Sequence, residues 1–395
     1  MTDTRVSQSR SRIRISGRSL MDDLDRLASF GGRPDGGVDR MAGSAADLAS
    51  REWLGKRLTE AGLHTSSDEI GNVFGRTHDG TGPWLLLGSH TDTVPSGGRL
   101  DGAYGVIAAL EVLRTLRQNE HPAADSVEIV SFWDEEGAAP TSPGGLTGST
   151  KMCEGAHLDN ICGYLELHIE QGPRMERTGL DLAAVEGIVG VDRYQVQVEG
   201  TANHAGTTPM DARSDAGRAA SLICSQIKEL AIGTDPDMVA NVGCMEFSPN
   251  VPNVIPGLAT FTVEFRVGEA SALQSVARGL SALAKRITAR ESCTVSIEQL
   301  SHKPVISFDS RVIDTIEEVC IRSGKPTTRL WSLAGHDASV LGSHVPAGMI
   351  FVPSTRGISH QPEESTPDRQ LALGCQALCD AVIEIHRSGL LAGAR

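Results

Sequence analysis

Short uncharged apolar runs alternate along this chain with stretches whose apolar positions recur every three or four residues. The first kind predicts covered parallel strands, and the second amphipathic helices. Trp84 to Gly88 is such a strand. Val106, Leu110 and Leu113 after it step at i, i+4 and i+7, so a helix over Ala103 to Arg117 follows. VEIVSF at 127 to 132 predicts a second strand, ending in WDEEG. Ahead of these, Leu20 to Phe30 reads as a helix, and Ser44, Asp47 and Ser50 lead into another carrying Leu48, Trp53, Leu54 and Leu58. Strands alternating with helices predict an α/β fold built on a mixed, mainly parallel sheet flanked by helices.

From Ile188 the pattern changes. VDRYQVQVE alternates, a helix with Ala216, Ala220, Ile223, Ile227 and Leu230 follows, and VANVGCMEF and TFTVEFRV read as strands. A helix stepping through Leu273, Val276, Leu280, Leu283 and Ile287 then precedes the strand TVSIEQL. That order is the split βαβ, ferredoxin-like arrangement. It predicts an inserted α+β domain over 188–302, with 1–187 and 303–395 forming one discontinuous domain. In the last part, Val312, Ile316 and Val319 mark a helix, MIFVPS a strand, and Asp368 to His386 a closing helix.

Composition narrows the partners. A formal charge of −14 over 395 residues argues against nucleic acid or an anionic membrane and leaves a small-molecule substrate. No run approaches the roughly 18 apolar residues of a membrane span, and the polar, basic MTDTRVSQSRSRIRI has no secretory core, so residues 1–12 read as a loose arm. Eight scattered cysteines without a CxxC pair fit reduced thiols in the cytoplasm, Cys375 and Cys379 as core packing on one helix face.

Candidate chemistry gathers where predicted strands end. His90 and Asp101 flank a Gly-rich loop after the first strand, a place where open α/β sheets build sites. Asp134, Glu135 and Glu136 crowd the end of the second; such like charges are unfavourable unless a cation or proton is shared. His168 lies in extended GYLELHIEQGP, where Glu166 and Glu170 would share its face, and His360 follows the MIFVPS strand. Each is also what a turn, an acidic surface or a satisfied core histidine would carry. In the insert, Arg266 points away from the apolar face of its strand, Asn250 and Asn253 lie between prolines, and His204 sits in a Gly/Thr-rich turn; a surface charge or turn residue is the plain alternative for each. Two imidazole and carboxylate sets sharing one carboxylate suit a dinuclear site for zinc, manganese or a similar ion. No GxSxG nucleophile motif is present.

SHTDTV followed by DGAYG resembles the first metal motif of dinuclear amidohydrolases and exopeptidases. Together with DEEG, ELHIEQGP, NHAGTTPMDAR, PNVIPG, AGHDA and GISHQPEES, the chain closely resembles the hydantoinase/carbamoylase family of metal-dependent amidases, which includes N-carbamoyl-L-amino acid hydrolases, β-ureidopropionases and allantoate amidohydrolases. SHTDTV and DEEG fix only the wider clan; ELHIEQGP and HAGTTPM are specific to this branch. The resemblance implies a zinc-exopeptidase-like catalytic domain whose insert serves as lid and dimerisation domain, with two divalent ions per subunit, zinc first and manganese, cobalt or nickel as alternatives. It makes Asp101 the bridging ligand, with His90 and His168 on one ion and Glu136 and His360 on the other. Glu135 becomes the general base that takes a proton from the bridging water to give a bridging hydroxide, and His204 the oxyanion stabiliser. Asn253 and Arg266 hold the substrate carboxylate, and Gln171 and the backbone near Gly335 complete the pocket. Because these groups fall on both domains, closure over the substrate is expected, and His204 could serve its own or a partner's site in a homodimer.

The reaction implied is cleavage of an N-carbamoyl L-amino acid to amino acid, ammonia and carbon dioxide. An allantoate-type amidohydrolase is the alternative; an N-acyl-amino acid hydrolase, a dipeptidase and a non-catalytic metal or ligand-binding protein stand further off. One departure is that Ala138, Ala139 and Pro140 follow DEEG where relatives carry a bulky or basic pair, which bears on the substrate and not on the ions.

Overall fold

Trp84–His90, Val127–Phe132 and Ala347–Val352 are buried along their whole length. Strands covered on both faces show continuous apolar runs and not alternation, which is why the sequence displays them so plainly. In the computed structural model, which describes residues 12–80, 82–139 and 144–391, they belong to a nine-stranded sheet. From one edge it runs His64–Ser67, Val73–Arg76, Val127–Phe132, Trp84–His90, Ile161–Ile169, Ala347–Val352, Leu182–Ile188, Ile306–Ser307, with Thr327–Ser332 also paired to Leu182–Ile188. The four central strands run parallel. Antiparallel pairs flank them on both sides. Helix Ala103–Gln118 packs on Trp84–His90, and Asp368–Ser388 packs on that helix and on Ser310–Arg322.

The chain divides into two compact units, Met1–Glu186 with Ser307–Arg395, and Gly187–Ile306. The second holds an antiparallel sheet in the order Thr294–Lys303, Gly190–Glu199, Leu258–Val267, Val239–Ser248, the strand order of a ferredoxin-like unit. Its alternating pattern places Tyr194, Val196, Val198, Phe261, Val263 and Phe265 in a core with Ile223, Leu273, Val276 and Leu280 of the covering helices.

Several elements differ from expectation. The single helix predicted through Ala216 to Leu230 is two, Ala216–Cys224 and Ile227–Thr234, because Ser225 and Gln226 turn their side chains back onto the Leu222 carbonyl. The hairpin His64–Ser67 with Val73–Arg76 was not legible, since HTSS is exposed throughout and carries no apolar alternation. Thr147–Glu154 is a helix with too few apolar residues to announce itself. The strand predicted to stop at Gly88 continues to His90, whose ladder partner is Phe132. The arm read in residues 1–12 falls, but for Arg12, outside the described residues, as does Pro140. Among the described residues no helix is long and apolar enough to cross a membrane.

Two glycines test this packing in opposite directions. A Cβ on Gly88, at φ +156°, would stand 1.9 Å from the Val130 carbonyl of the neighbouring strand, so Gly88→Ala is expected to destabilise the first unit by about 2–3 kcal/mol. A Cβ on Gly233 meets nothing within 4 Å, so Gly233→Ala in its helix is expected to stabilise by about 0.5–1 kcal/mol. Denaturant unfolding monitored by circular dichroism measures both.

Candidate metal centre

His90 is the last residue of its strand, and Asp101 stands just before the helix Ala103–Gln118. Between Asp101 and that helix, Gly102 sits at φ +60°, where a Cβ would lie 2.3–2.4 Å from atoms of the His90 ring. Only glycine lets the chain pass that close. His168 is the penultimate residue of Ile161–Ile169. Glu135 and Glu136 follow Val127–Phe132, and His360, at φ +57°, follows Ala347–Val352. All therefore converge at the carboxyl ends of the four adjacent parallel strands.

The geometry centres on one carboxylate. Asp101 Oδ1 lies 3.1 Å from His168 Nε2 and 3.8 Å from His90 Nε2, while Oδ2 lies 3.0 Å from His360 Nε2. His360 Nε2 is in turn 3.6 Å from Glu136 Oε2, and His90 Nε2 is 3.6 Å from Glu135 Oε2. His90 Nδ1 donates to the Asp92 carbonyl at 3.0 Å and His168 Nδ1 to the Ile169 carbonyl at 2.8 Å. Those bonds leave Nε2 of each ring as the nitrogen that faces Asp101, as metal-ligating histidines are held, and His168 Nε2 also accepts the Gly102 amide at 3.1 Å.

Charge is concentrated here. Burial pushes Glu136 up to about 7, helped by Asp101, and pushes Glu135 well above the usual carboxylate range, with Asp337 and Glu136 adding to it. Burial alone would lower His90 and His168, but Glu135, Asp92 and Asp101 around the first and Asp101 around the second outweigh it and raise both. Asp101 goes the other way: against burial, His168 and His360 hold it well below its ordinary value. Proton sharing of this kind is what a set of ligands does until a cation replaces the protons.

Not every predicted neighbour takes part. Asp134 turns away to accept from the Ala139 amide and the Thr147 hydroxyl. Glu166 stays on the His168 face, but its oxygens are taken by Ser89, Tyr164 and the Ala338 amide. Glu170, expected on the same face, lies beyond the strand and caps Arg174–Thr178 through the Arg174 and Met175 amides. Gln171 donates to Asp101 Oδ2 at 2.8 Å. Gly335 precedes His336, whose buried ring packs edge-on against His168. Sequence reasoning gave no role to Asp92, Arg51 or Glu364. Asp92 accepts the Glu135 and Glu136 amides, and Arg51 lies 4.0 Å from it. The one signal for Asp92 was its place inside SHTDTV; nothing local marks Arg51.

The second unit carries three further candidates. His204 Nδ1 accepts the Gly206 and Thr207 amides at 3.1 Å each, so the neutral ring carries its proton on Nε2. Asn253 is exposed, with its carbonyl bonded to the Ala205 amide. Arg266 pairs with Glu264 at 2.7 Å.

A profile of the Peptidase family M20/M25/M40 matches residues 86–384. The chain belongs to this family. Within it, the allantoate amidohydrolase of Bacillus subtilis is 34% identical, over 93% of this chain and 97% of that one. The N-carbamoyl-L-amino acid amidohydrolase of Geobacillus stearothermophilus is 32% identical, over 94% and 99%. The crystal structure of a hydantoinase/carbamoylase family amidase from Burkholderia ambifaria superposes with a TM-score of 0.86 at 32% identity, covering 95% of this chain and 98% of that one. The protein is thus an M20-family amidohydrolase of the hydantoinase/carbamoylase group, a hydrolase of C–N bonds.

An M20 enzyme calls for a metal pair, and the residues present fit one. His90, Asp101 and His168 offer ligand atoms within 4.8 Å of one another, as do Asp101, Glu136 and His360. Glu136 Oε1 is buried without a partner among the described residues. A third grouping, Glu166 with His168 and His336, fits less well because Glu166 is already saturated. Gly102→Ala should displace His90 and weaken divalent-metal binding by at least about tenfold, with the far-ultraviolet circular dichroism unchanged; equilibrium dialysis of the metal-free protein against zinc checks it.

Proposed function

We propose that the protein hydrolyses the C–N bond of a small N-carbamoyl L-amino acid, consuming one water and releasing the amino acid and carbamic acid, which falls to ammonia and carbon dioxide. One observation carries this reading: Asp101 turns one oxygen to His90 and His168 and the other to His360, with Glu136 beyond it and Glu135 close by. Two divalent ions held by these residues, zinc before manganese, cobalt or nickel, would supply Lewis acidity and a water of lowered pKa. Glu135 takes the proton of the attacking water and returns it to the leaving nitrogen. His204, with its proton confined to Nε2, donates a hydrogen bond to the developing oxyanion. Arg266 and Asn253 take the substrate carboxylate, Arg266 exchanging or sharing its Glu264 partner. Gln171 and the Gly335 backbone line the remainder.

Allantoate is the second substrate reading, favoured by the name of the Bacillus relative. It presents the same ureido carbonyl and carboxylate, and Arg266 suits either. The same reading makes the enzyme a homodimer through the inserted unit. Its sheet ends in two edge strands, Val239–Ser248 and Thr294–Lys303, with Val239, Met245 and Leu300 exposed, and open edges are where a second chain pairs. A cytoplasmic setting is supported by eight free cysteines.

The test is hydrolysis by enzyme stripped and reloaded with zinc, manganese or cobalt, read as ammonia release from N-carbamoyl-L-amino acids, β-ureidopropionate and allantoate and as amino acid release from N-acyl amino acids and dipeptides. Turnover confined to acyl or peptide substrates would refute the ureido reading. Glu135→Gln is expected to lower kcat by about 10²–10⁴-fold with both ions retained. Arg266→Ala is expected to raise KM by roughly 10–100-fold, the worth of a charged hydrogen bond.

A further inference from the structure

Glu364 is buried and lies four residues beyond His360, and both its oxygens have partners, one in its own loop and one in the loop of Asp101. Oε1 accepts the Leu100 and Asp101 amides, each at 3.0 Å, and Oε2 accepts the Ser359 hydroxyl at 2.7 Å. Room for it is made at Gly98, where a Cβ would stand 2.0 Å from Oε1. The carboxylate therefore ties the loop of Asp101 to the loop of His360. Ser359 faces a second acceptor as well: its Oγ lies 3.4 Å from Asp101 Oδ2, the oxygen turned to His360. A hydroxyl has one proton to give, and it goes to the shorter bond.

We propose that Glu364 is a positioning residue that holds the Ser359 proton away from Asp101 Oδ2, so that this oxygen, which already accepts the Gln171 amide at 2.8 Å, keeps its remaining lone pair for the ion shared with Glu136 and His360. The inference rests on the two-ion reading above. Amide replacement separates the two jobs of Glu364. In Glu364→Gln the side-chain oxygen can still accept the Leu100 and Asp101 amides, so the loops stay tied. The new NH2 donates to Ser359 Oγ, which releases the hydroxyl proton toward Asp101 Oδ2.

Cobalt(II) is titrated into the metal-free full-length protein, with visible absorption and total bound metal as readouts; His360→Ala and His168→Ala assign the two binding steps. For Glu364→Gln the His360-side ion is expected to bind about 10–100-fold more weakly, the His168-side ion within about twofold of wild type, and apo thermal unfolding to stay within a few degrees. In the double variant Ser359→Ala/Glu364→Gln the His360-side affinity should return most of the way, because no hydroxyl remains to compete. Ser359→Ala alone should bind both ions within about twofold of wild type, and this arm stands even if Glu364→Gln does not fold. Equal loss at both ions in Glu364→Gln, no rescue in the double variant, or a comparable loss in Ser359→Ala would overturn the proposal and leave Glu364 as a loop strut. Failure of the wild type to bind two cobalt ions would instead overturn the two-ion reading itself.

Discussion

A single buried carboxylate, Asp101, is the constraint on which the site depends. Its two oxygens face different imidazoles, so it would be the ligand common to two ions held by these residues. Everything nearby serves to keep that carboxylate charged and aimed. Gly102 lets the chain turn into its helix under the His90 ring, Gln171 donates to Oδ2, and Glu364 ties down the backbone at Asp101. Without a compensating cation such a gathering of carboxylates would be costly in a buried site.

Behind this carboxylate lies a second layer of buried charge. Arg51 stacks on Trp133, bonds the carbonyl of Phe132 and pairs with Asp47. It thereby fixes the backbone just ahead of Glu135 and Glu136, whose amides rest on Asp92. Arg40, wholly buried, bonds the Thr91 and Leu27 carbonyls, and burial drives it down to about 10 against the pull of Asp47 and Asp92. Hydrophobic residues of similar volume would stabilise a sheet end at least as well. What the ionic layer adds is direction, since a guanidinium bonded to several carbonyls fixes where a strand stops and where its loop begins.

The inserted unit is built by different rules. Its sheet is covered on one face only, so its strands alternate and its polar face carries Arg193, Glu264 and Arg266 in one ion-paired row. His204 and Asn253 belong to loops of this unit, joined by the short pairing of Val254 with His204. The division of labour is legible in the chemistry. The metal-ligand candidates all lie in the first unit, at or just beyond its parallel strands, and the groups suited to a carboxylate and an oxyanion lie in the inserted one.

The sequence by itself determined the buried strands, the long helices, the alternating insert and the principal ligand candidates. Those signals are local: an apolar run, a period of 3.6 or 2, or a motif such as SHTDTV that places a histidine and its strand end side by side. Where the local signal was weak, as in exposed HTSS, or shared between two roles, as in the acidic run Asp134 to Glu136, only the tertiary structure decided. It sent Asp134 to cap a loop, Glu166 to a saturated hydrogen-bond cluster and Glu170 to a short helix. It also brought Arg51, Asp92 and Glu364 to the site, with Arg51 arriving from a segment far from the strand end it steadies and Glu364 from one far from the loop of Asp101. Their contacts cross between strand ends and loops, and no periodicity or spacing along a chain encodes a contact that exists only after the sheet has closed around it.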